Sequence, residues 1–362
     1  MSSATTEQIR SVVTAAARAP SGDNTQPWTF SWDGGVLTVL FDPNKAHHVL
    51  DAGFSAAKIS LGCVLESAFI AASAYGLSAQ YQFIGLSPEA GRPAARLTFT
   101  ASDQQPDALL DAIPKRTTDR RPFRKGTLPV EDLKAVWQAF EERDVVRADF
   151  VDCIPSDLFD YLVAAESLVA RHPSIFPDTL PWIRLSDRET ARTLDGMPWR
   201  GTGVNVLQYP VLPLLRTFPR LFPLISRSGM QRVQRRTIMR LLNSSAGLFC
   251  VSTAEPGAQA LLSAGRLAMR LWLRLTQLGY GVQPLTISSL SVYNAKIGVL
   301  DPASVRLFGA RYAEGEKIMR RAFGIPDDHV PVWMLRAGFS SPLPASWLTP
   351  RKGLETILRI TC

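Results

Sequence analysis

The stretch APSGDNTQPWTF, Ala19 to Phe30, sets a proline, a small hydroxyl, an amide pair and an aromatic in one short loop after a helix. Asn24 and Gln26 offer paired donors and acceptors for an amide-like ring edge or for sugar hydroxyls. Ser21 and Gly22 allow close backbone approach, and Pro27-Trp28 stiffens the start of the following strand. Such a set suits a planar polar ligand. The same run also reads as a plain helix-to-strand turn, because Pro, Ser, Gly, Asp and Asn are the residues that turns favour.

The rest of the chain bounds what that loop can serve. With 362 residues and 46% hydrophobic content, the protein buries a substantial core as one large or two smaller units. Glu7 and Arg10 interrupt the start, so no signal peptide is read there. The apolar stretches near Leu61 to Ala74 and Val204 to Leu215 are broken by Glu66, or by Pro210 and Pro213, and read as shorter than the roughly 18 residues of a membrane span. Cys63, Cys153, Cys250 and Cys362 lie far apart without a C-x-x-C pair, which argues against a zinc ribbon or a disulfide framework. A soluble protein of the reducing cytoplasm is expected.

Its charge is unevenly placed. Between Asp195 and Glu255 there is no acid, while Arg200, Arg216, Arg220, Arg227, Arg232, Arg235, Arg236 and Arg240 equal the whole net charge of +8. A basic patch of this kind suits nucleic acid, anionic lipid or a phosphorylated small molecule. Nucleic acid is disfavoured, since the segment has no groove-reading motif and its apolar residues are aliphatic and proline-linked, without interleaved stacking aromatics.

Two distant segments read alike: LGCVLESAFIAASAYGLSAQ from Leu61 and AGRLAMRLWLRLTQLGYGVQ from Ala264. In each, a glycine (Gly62, Gly265) reads as preceding a long helix, and a second (Gly76, Gly279) ends it fourteen positions later. VLTVLFD and GLFCVST precede them as strand candidates, and AQYQFIGL and VQPLTISSL follow. The expected fold is α+β, with two pseudo-symmetric halves, 1–105 and 106–362, packed as a pseudo-dimer within one chain.

The string from Pro20 to Trp28 resembles the PSxxNxQPW loop of the flavin-dependent nitroreductase family. KRTTDRRPF, Lys115 to Phe123, resembles that family's R-x-S-x-R motif, with Thr118 in place of serine and Asp119 as an added acid. By itself this string also reads as a solvated basic loop. Over nearly all its length the chain resembles the two-lobed single-chain branch similar to the mycobacterial Acg proteins, including DGMP at Asp195 to Pro198 and R-x-G at Arg336 to Gly338. The resemblance implies a nitroreductase-like fold whose halves mimic the family homodimer. It also implies FMN held by Pro20, Ser21, Asn24, Gln26, Arg116, Thr118 and Arg120, with a backbone turn at Pro284, Leu285 and Thr286 facing the flavin and Arg351 and Lys352 on the phosphate.

The reaction so implied is oxidoreduction from NADH or NADPH to a small electron-poor organic substrate, with flavin-centred chemistry and no side chain acting as acid or base. A non-catalytic flavin-sequestering protein is the alternative. The chain is expected as a monomer, by virtue of its pseudo-dimer, or as a homodimer. The second half keeps only HPSIFPDTLPW, His172 to Trp182, without the asparagine and glutamine, so one complete site is expected.

Residues 196–245 are expected to form an inserted lid. Arg232, Arg236 and Arg240 fall at i, i+4 and i+8 of a helix from Ser228 onward, with Met230, Val233, Ile238 and Leu241 toward another side. The lid reading is set ahead of plain packing and of membrane-surface contact, and the three arginines are expected to select an anionic or bulky substrate. His47, His48, His172 and His329 are expected at the surface, and no metal site is expected.

Overall fold

The computed structural model describes residues 4–361, so Cys362 lies outside the described residues. Its strands are β1 (Trp28–Trp32), β2 (Val36–Phe41), β3 (Leu77–Phe83), β4 (Arg92–Ala101), β5 (Val146–Val151), β6 (Ile183–Arg184), β7 (Met197–Pro198), β8 (Gly247–Thr253), β9 (Tyr280–Pro284), β10 (Val330–Phe339) and β11 (Leu358–Ile360). In β1 apolar and polar residues alternate, and in both β1 and β2 every second residue is buried, which puts Trp28, Phe30 and Trp32, then Leu37, Val39 and Phe41, on one face. Every residue of β8 is buried, as befits an inner strand covered on both faces.

Five strands form one sheet in the order β11-β1-β2-β4-β3, and four form another in the order β5-β8-β10-β9. Leaving β11 aside, the two orders correspond strand for strand, and all their pairings are antiparallel. In each unit the second strand leads into a long helix, Ser55–Ser73 or Ala258–Gln277, and a positive-φ glycine (Gly76, Gly279) opens the next strand. β11 crosses between the halves as read from sequence. It comes from the far end of the chain and pairs parallel with β1, Phe30 opposite Leu358.

The two long helices pack on each other in the centre. Gly62 and Gly265 do not precede these helices, as the sequence suggests, but lie inside them where they cross. A Cβ on Gly62 would lie 2.1 Å from the Leu262 carbonyl oxygen, and one on Gly265 would lie 2.0 Å from that of Ile59. Only a hydrogen side chain lets the backbones approach this closely. The Ser55–Ser73 helix has 19 residues and is long and apolar enough to cross a membrane, longer than the sequence reading allowed, yet most of it is buried in the protein interior. Glu66, read as interrupting that stretch, is buried with Arg266 at 2.8 Å and Arg270 at 2.6 Å, an ion cluster joining the two helices.

Within 196–245, Met197, Leu212, Leu215 and Phe222 share a small core with Leu180 and Ile183 of the preceding segment, while Ile238, Leu241 and Leu242 join the larger core around Leu158 and Tyr312. The amphipathic helix expected from Ser228 begins at Gln231 and runs to Asn243, after a wide turn at Ser226–Met230 in which Gly229 has φ 135°.

Candidate functional site

A cavity of about 610 Å³ lies between the halves and the 196–245 lobe. The Ala19–Phe30 loop forms one wall through Pro20, Ser21, Gly22, Asp23, Thr25 and Pro27. Three of the five non-glycine residues with positive φ among those described fall in this loop: Asp23 (48°), Asn24 (56°) and Gln26 (51°). Left-handed backbone in non-glycine residues costs of order 1–3 kcal/mol each and persists only where the surroundings over-determine it.

Those surroundings are the two amides. Asn24 Nδ2 donates to the Gly196 carbonyl at 2.9 Å and the Pro350 carbonyl at 3.0 Å, while its Oδ1 accepts from Arg351 at 2.7 Å. Gln26 Nε2 donates to Leu194 O at 2.9 Å, and its Oε1 accepts from Lys352 N at 3.1 Å. Here Asn24 and Gln26 bind the loop to the DGMP turn and to the 349–352 segment rather than facing the cavity. Lys352 turns its ammonium to Asp195 at 3.5 Å.

The KRTTDRRPF string runs along the edge of β9: Thr118 bridges Val282, and Asp119 N donates to the Val282 carbonyl at 2.9 Å. Thr118 and Arg120 line the cavity, as do Pro284 and Thr286 from the turn after β9. Leu285 is buried, with its N–H on the Met334 carbonyl at 2.8 Å. Asp119, the added acid of the string, is engaged by Arg121 at 2.8 Å and by Ser340.

Arg116 is buried behind this wall, its guanidinium 4.5 Å from the Trp272 ring centroid. Its Nη2 donates to the Arg18 carbonyl at 3.0 Å, and Arg351 Nη2 donates to the same oxygen at 3.2 Å. Arg18, Arg116 and Arg351 thus converge, and among the described residues none of them has a carboxylate partner. Arg18 Nε, Arg116 Nε and Nη1, and Arg351 Nε are buried without a hydrogen-bond partner among the described residues. Burial and mutual repulsion push the Arg351 guanidinium well below its ordinary range, and Arg116 is lowered to about 10, chiefly by burial, with Arg18 adding to it. Buried unpaired N–H groups of like charge are costly, and an anion among them would satisfy both demands. The cluster therefore fits an anion such as a phosphate, and it lies behind the cavity wall, since none of the three arginines lines the cavity.

Arg18 escaped the sequence reading because one arginine at a helix end ordinarily solvates it; its place directly before Ala19 was the available signal. Two cavity carboxylates also escaped it. Asp51 accepts from Ala56 N at 2.8 Å and Ala57 N at 3.2 Å, and Glu166 accepts from Ser288 N and Oγ, both at 2.8 Å. Burial raises each to about 7. The folded protein then holds protons that the unfolded chain releases from about pH 4 upward, so their contribution to stability is full below that and lost as pH rises through about 7. Melting temperature is expected to fall between about pH 4 and pH 7, and Asp51→Asn and Glu166→Gln are each expected to flatten the decline. A parent melting curve that rises over this range would contradict the assignment.

The lobe covers the cavity with Gln208, Val211, Met230, Val233, Gln234 and Thr237. Arg232, Arg236 and Arg240 are exposed and do not line it, because they occupy the other side of the Gln231–Asn243 helix. They are not placed to select a substrate. His172 is a further correction: it is buried and bonded to Asp301 at 3.0 Å. No cluster of three or more metal-ligating side chains occurs among the described residues.

No family model matches the chain. Its sequence homologues include the putative NAD(P)H nitroreductase Acg of Mycobacterium tuberculosis, 30% identical over 171 residues, 45% of this chain and 49% of that protein. A second putative NAD(P)H nitroreductase of that organism is 30% identical over 131 residues, 35% of this chain and 37% of that protein. The chain thus aligns with about half the length, or less, of these curated relatives. Among solved structures it is similar to the FMN- and NADPH-dependent nitroreductase NfnB of sphigopyxis sp. strain HMH (TM-score 0.39, 13% identity, 69% of this chain and 97% of that one). It is also similar to the FMN-dependent NfnB of Mycobacterium smegmatis in complex with NADPH (TM-score 0.36, 15% identity, 68% and 95%).

Proposed function

We propose that this chain is an FMN-dependent oxidoreductase that takes electrons from NADH or NADPH and passes them to a small, electron-poor organic acceptor. The observation that carries the reading is the set of unpaired N–H groups on Arg18, Arg116 and Arg351, which have no acid partner among the described residues and suit the FMN phosphate. Similarity to the Acg proteins supports it. Bound there, FMN would supply the hydride-accepting and hydride-donating ring.

The chain's own residues hold and orient. The three arginines, which sit behind the cavity wall and are not among its lining residues, offer their unpaired N–H groups to the phosphate, while Ser21 and Thr118 offer hydroxyls from the cavity walls and Arg120 sets a cation at its edge. The backbone at Pro284 to Thr286 opens the Thr286–Lys296 helix toward the same space, and the lobe excludes water from it. A monomer completes this site from its own two halves, and the matching strand orders support an origin by duplication, with halves at 1–105 and 106–362. A cytoplasmic setting is part of the same reading.

One FMN per chain is expected. Phe176, Thr179 and Trp182 of the second half's loop line the same cavity and supply none of the amides. Flavin released by denaturation and counted against protein measures this; a ratio near two would contradict it. The purified protein is expected to be yellow and to bleach when NADH or NADPH is added without oxygen. The covering lobe favours a second reading, a flavin store, which yellow protein that resists bleaching would support. Colourless protein that cannot be loaded with FMN would overturn both.

A further inference from the structure

The outer face of the 196–245 lobe combines two features that a water-facing surface seldom joins. Leu207 is 91% exposed, Val206 75%, Leu224 68% and Phe218 56%, and with Leu214 these make five of the thirteen exposed large hydrophobic residues among those described. The same short segment carries Arg220, Arg227, Arg232, Arg235, Arg236 and Arg240, all exposed and, among the described residues, without a carboxylate partner. Arg200 and Arg216 are the two that pair, with Asp187 and Glu189. Arg236 and Arg240 face Lys125 along an open groove of about 540 Å³ whose lining holds no acid.

We propose that this face docks on an anionic membrane surface, its arginines among the headgroup phosphates and its aliphatic tips at the acyl boundary. Charge complementarity and the exposed apolar tips together select this partner, since an interfacial element needs both. Nucleic acid would use the cations but leave Leu207 and Leu224 in water. The face also borders the cavity, because Val204, Gln208 and Val211 on one side and Met230, Val233 and Gln234 on the other line it. An apolar acceptor dissolved in the bilayer, of the quinone class, enters between these two segments; this part rests on the oxidoreductase reading.

Flotation of the purified protein with vesicles tests docking without regard to flavin. The parent is expected to float with phosphatidylglycerol-rich vesicles at low salt and to stay down with phosphatidylcholine alone. R220Q/R227Q/R235Q is expected to lower partitioning about a hundredfold, and L207S/L224S to lower it as well. These side chains are exposed, so melting curves matching the parent certify the fold of both variants. A parent that does not float with the anionic vesicles, or a triple variant that floats as well as the parent, overturns the docking face. So does a salt-sensitive shift of duplex DNA in the absence of flotation.

The route of the acceptor is tested separately. Nicotinamide oxidation with a long-tailed quinone held in the vesicles is expected to drop about tenfold or more in the triple variant, while a short water-soluble quinone is reduced at the parent rate. Equal rates with both quinones overturn the entry route and leave docking standing.

Discussion

Arg116→Ala and Arg351→Ala are each expected to strip the protein of FMN during purification. A charge-assisted hydrogen bond to an anion contributes about 1.5–3 kcal/mol, so each loss is expected to weaken binding by about ten- to more than a hundredfold. Arg18→Ala is expected to fall in the same range, because its Nε is unpaired beside the other two. Arg351→Lys is expected to recover part of the loss, since lysine restores the charge but not the forked donors. Titration of flavin-free protein with FMN, followed by flavin fluorescence, measures all four. If the alanine variants keep FMN through extensive dialysis as well as the parent does, the phosphate lies elsewhere.

The second large effect is structural. Gly62→Ala and Gly265→Ala are each expected to destabilise the fold by at least about 3 kcal/mol, read from denaturant unfolding. In both cases the new methyl would meet a backbone carbonyl of the facing helix, with no flexible side-chain end to move aside. The helices would have to separate along their whole contact, opening the interior that carries Trp272 and, through it, Arg116. Unfolding curves indistinguishable from the parent would show that the crossing is looser than the packing described.

How much of this was legible in the sequence follows from the range of the interactions. The strand candidate VLTVLFD and the glycines Gly76 and Gly279 at the ends of the repeat helices are local signals, and a strand and two helix ends lie there. Gly62 and Gly265 read as boundaries because glycine inside a helix is ordinarily unfavourable; their reason for being there is the partner helix, some two hundred positions away. The cavity-lining residues Ser21, Thr118, Arg120, Pro284 and Thr286 were found through motifs. Asn24 and Gln26 were found too, but their role depends on Leu194, Gly196, Arg351 and Lys352, which no local pattern links to them. Helical spacing showed that Arg232, Arg236 and Arg240 share a side of their helix. It did not show which side meets the cavity, and there Val233, Gln234 and Thr237 form an understated face. Asp51 and Glu166 are single acids in ordinary surroundings, and only burial distinguishes them.

The parallel pairing of β11 with β1 gives the chain an order of assembly. During synthesis Arg18 emerges early, Arg116 much later, and Arg351 after nearly everything else, so the three cations cannot meet until residues 349–360 have been released to close the first sheet. Until then the first half is a sheet with an open edge beside a site lacking one of its arginines. On this reading full cofactor affinity waits for residues 349–360, and the phosphate and the closing strand stabilise the same event.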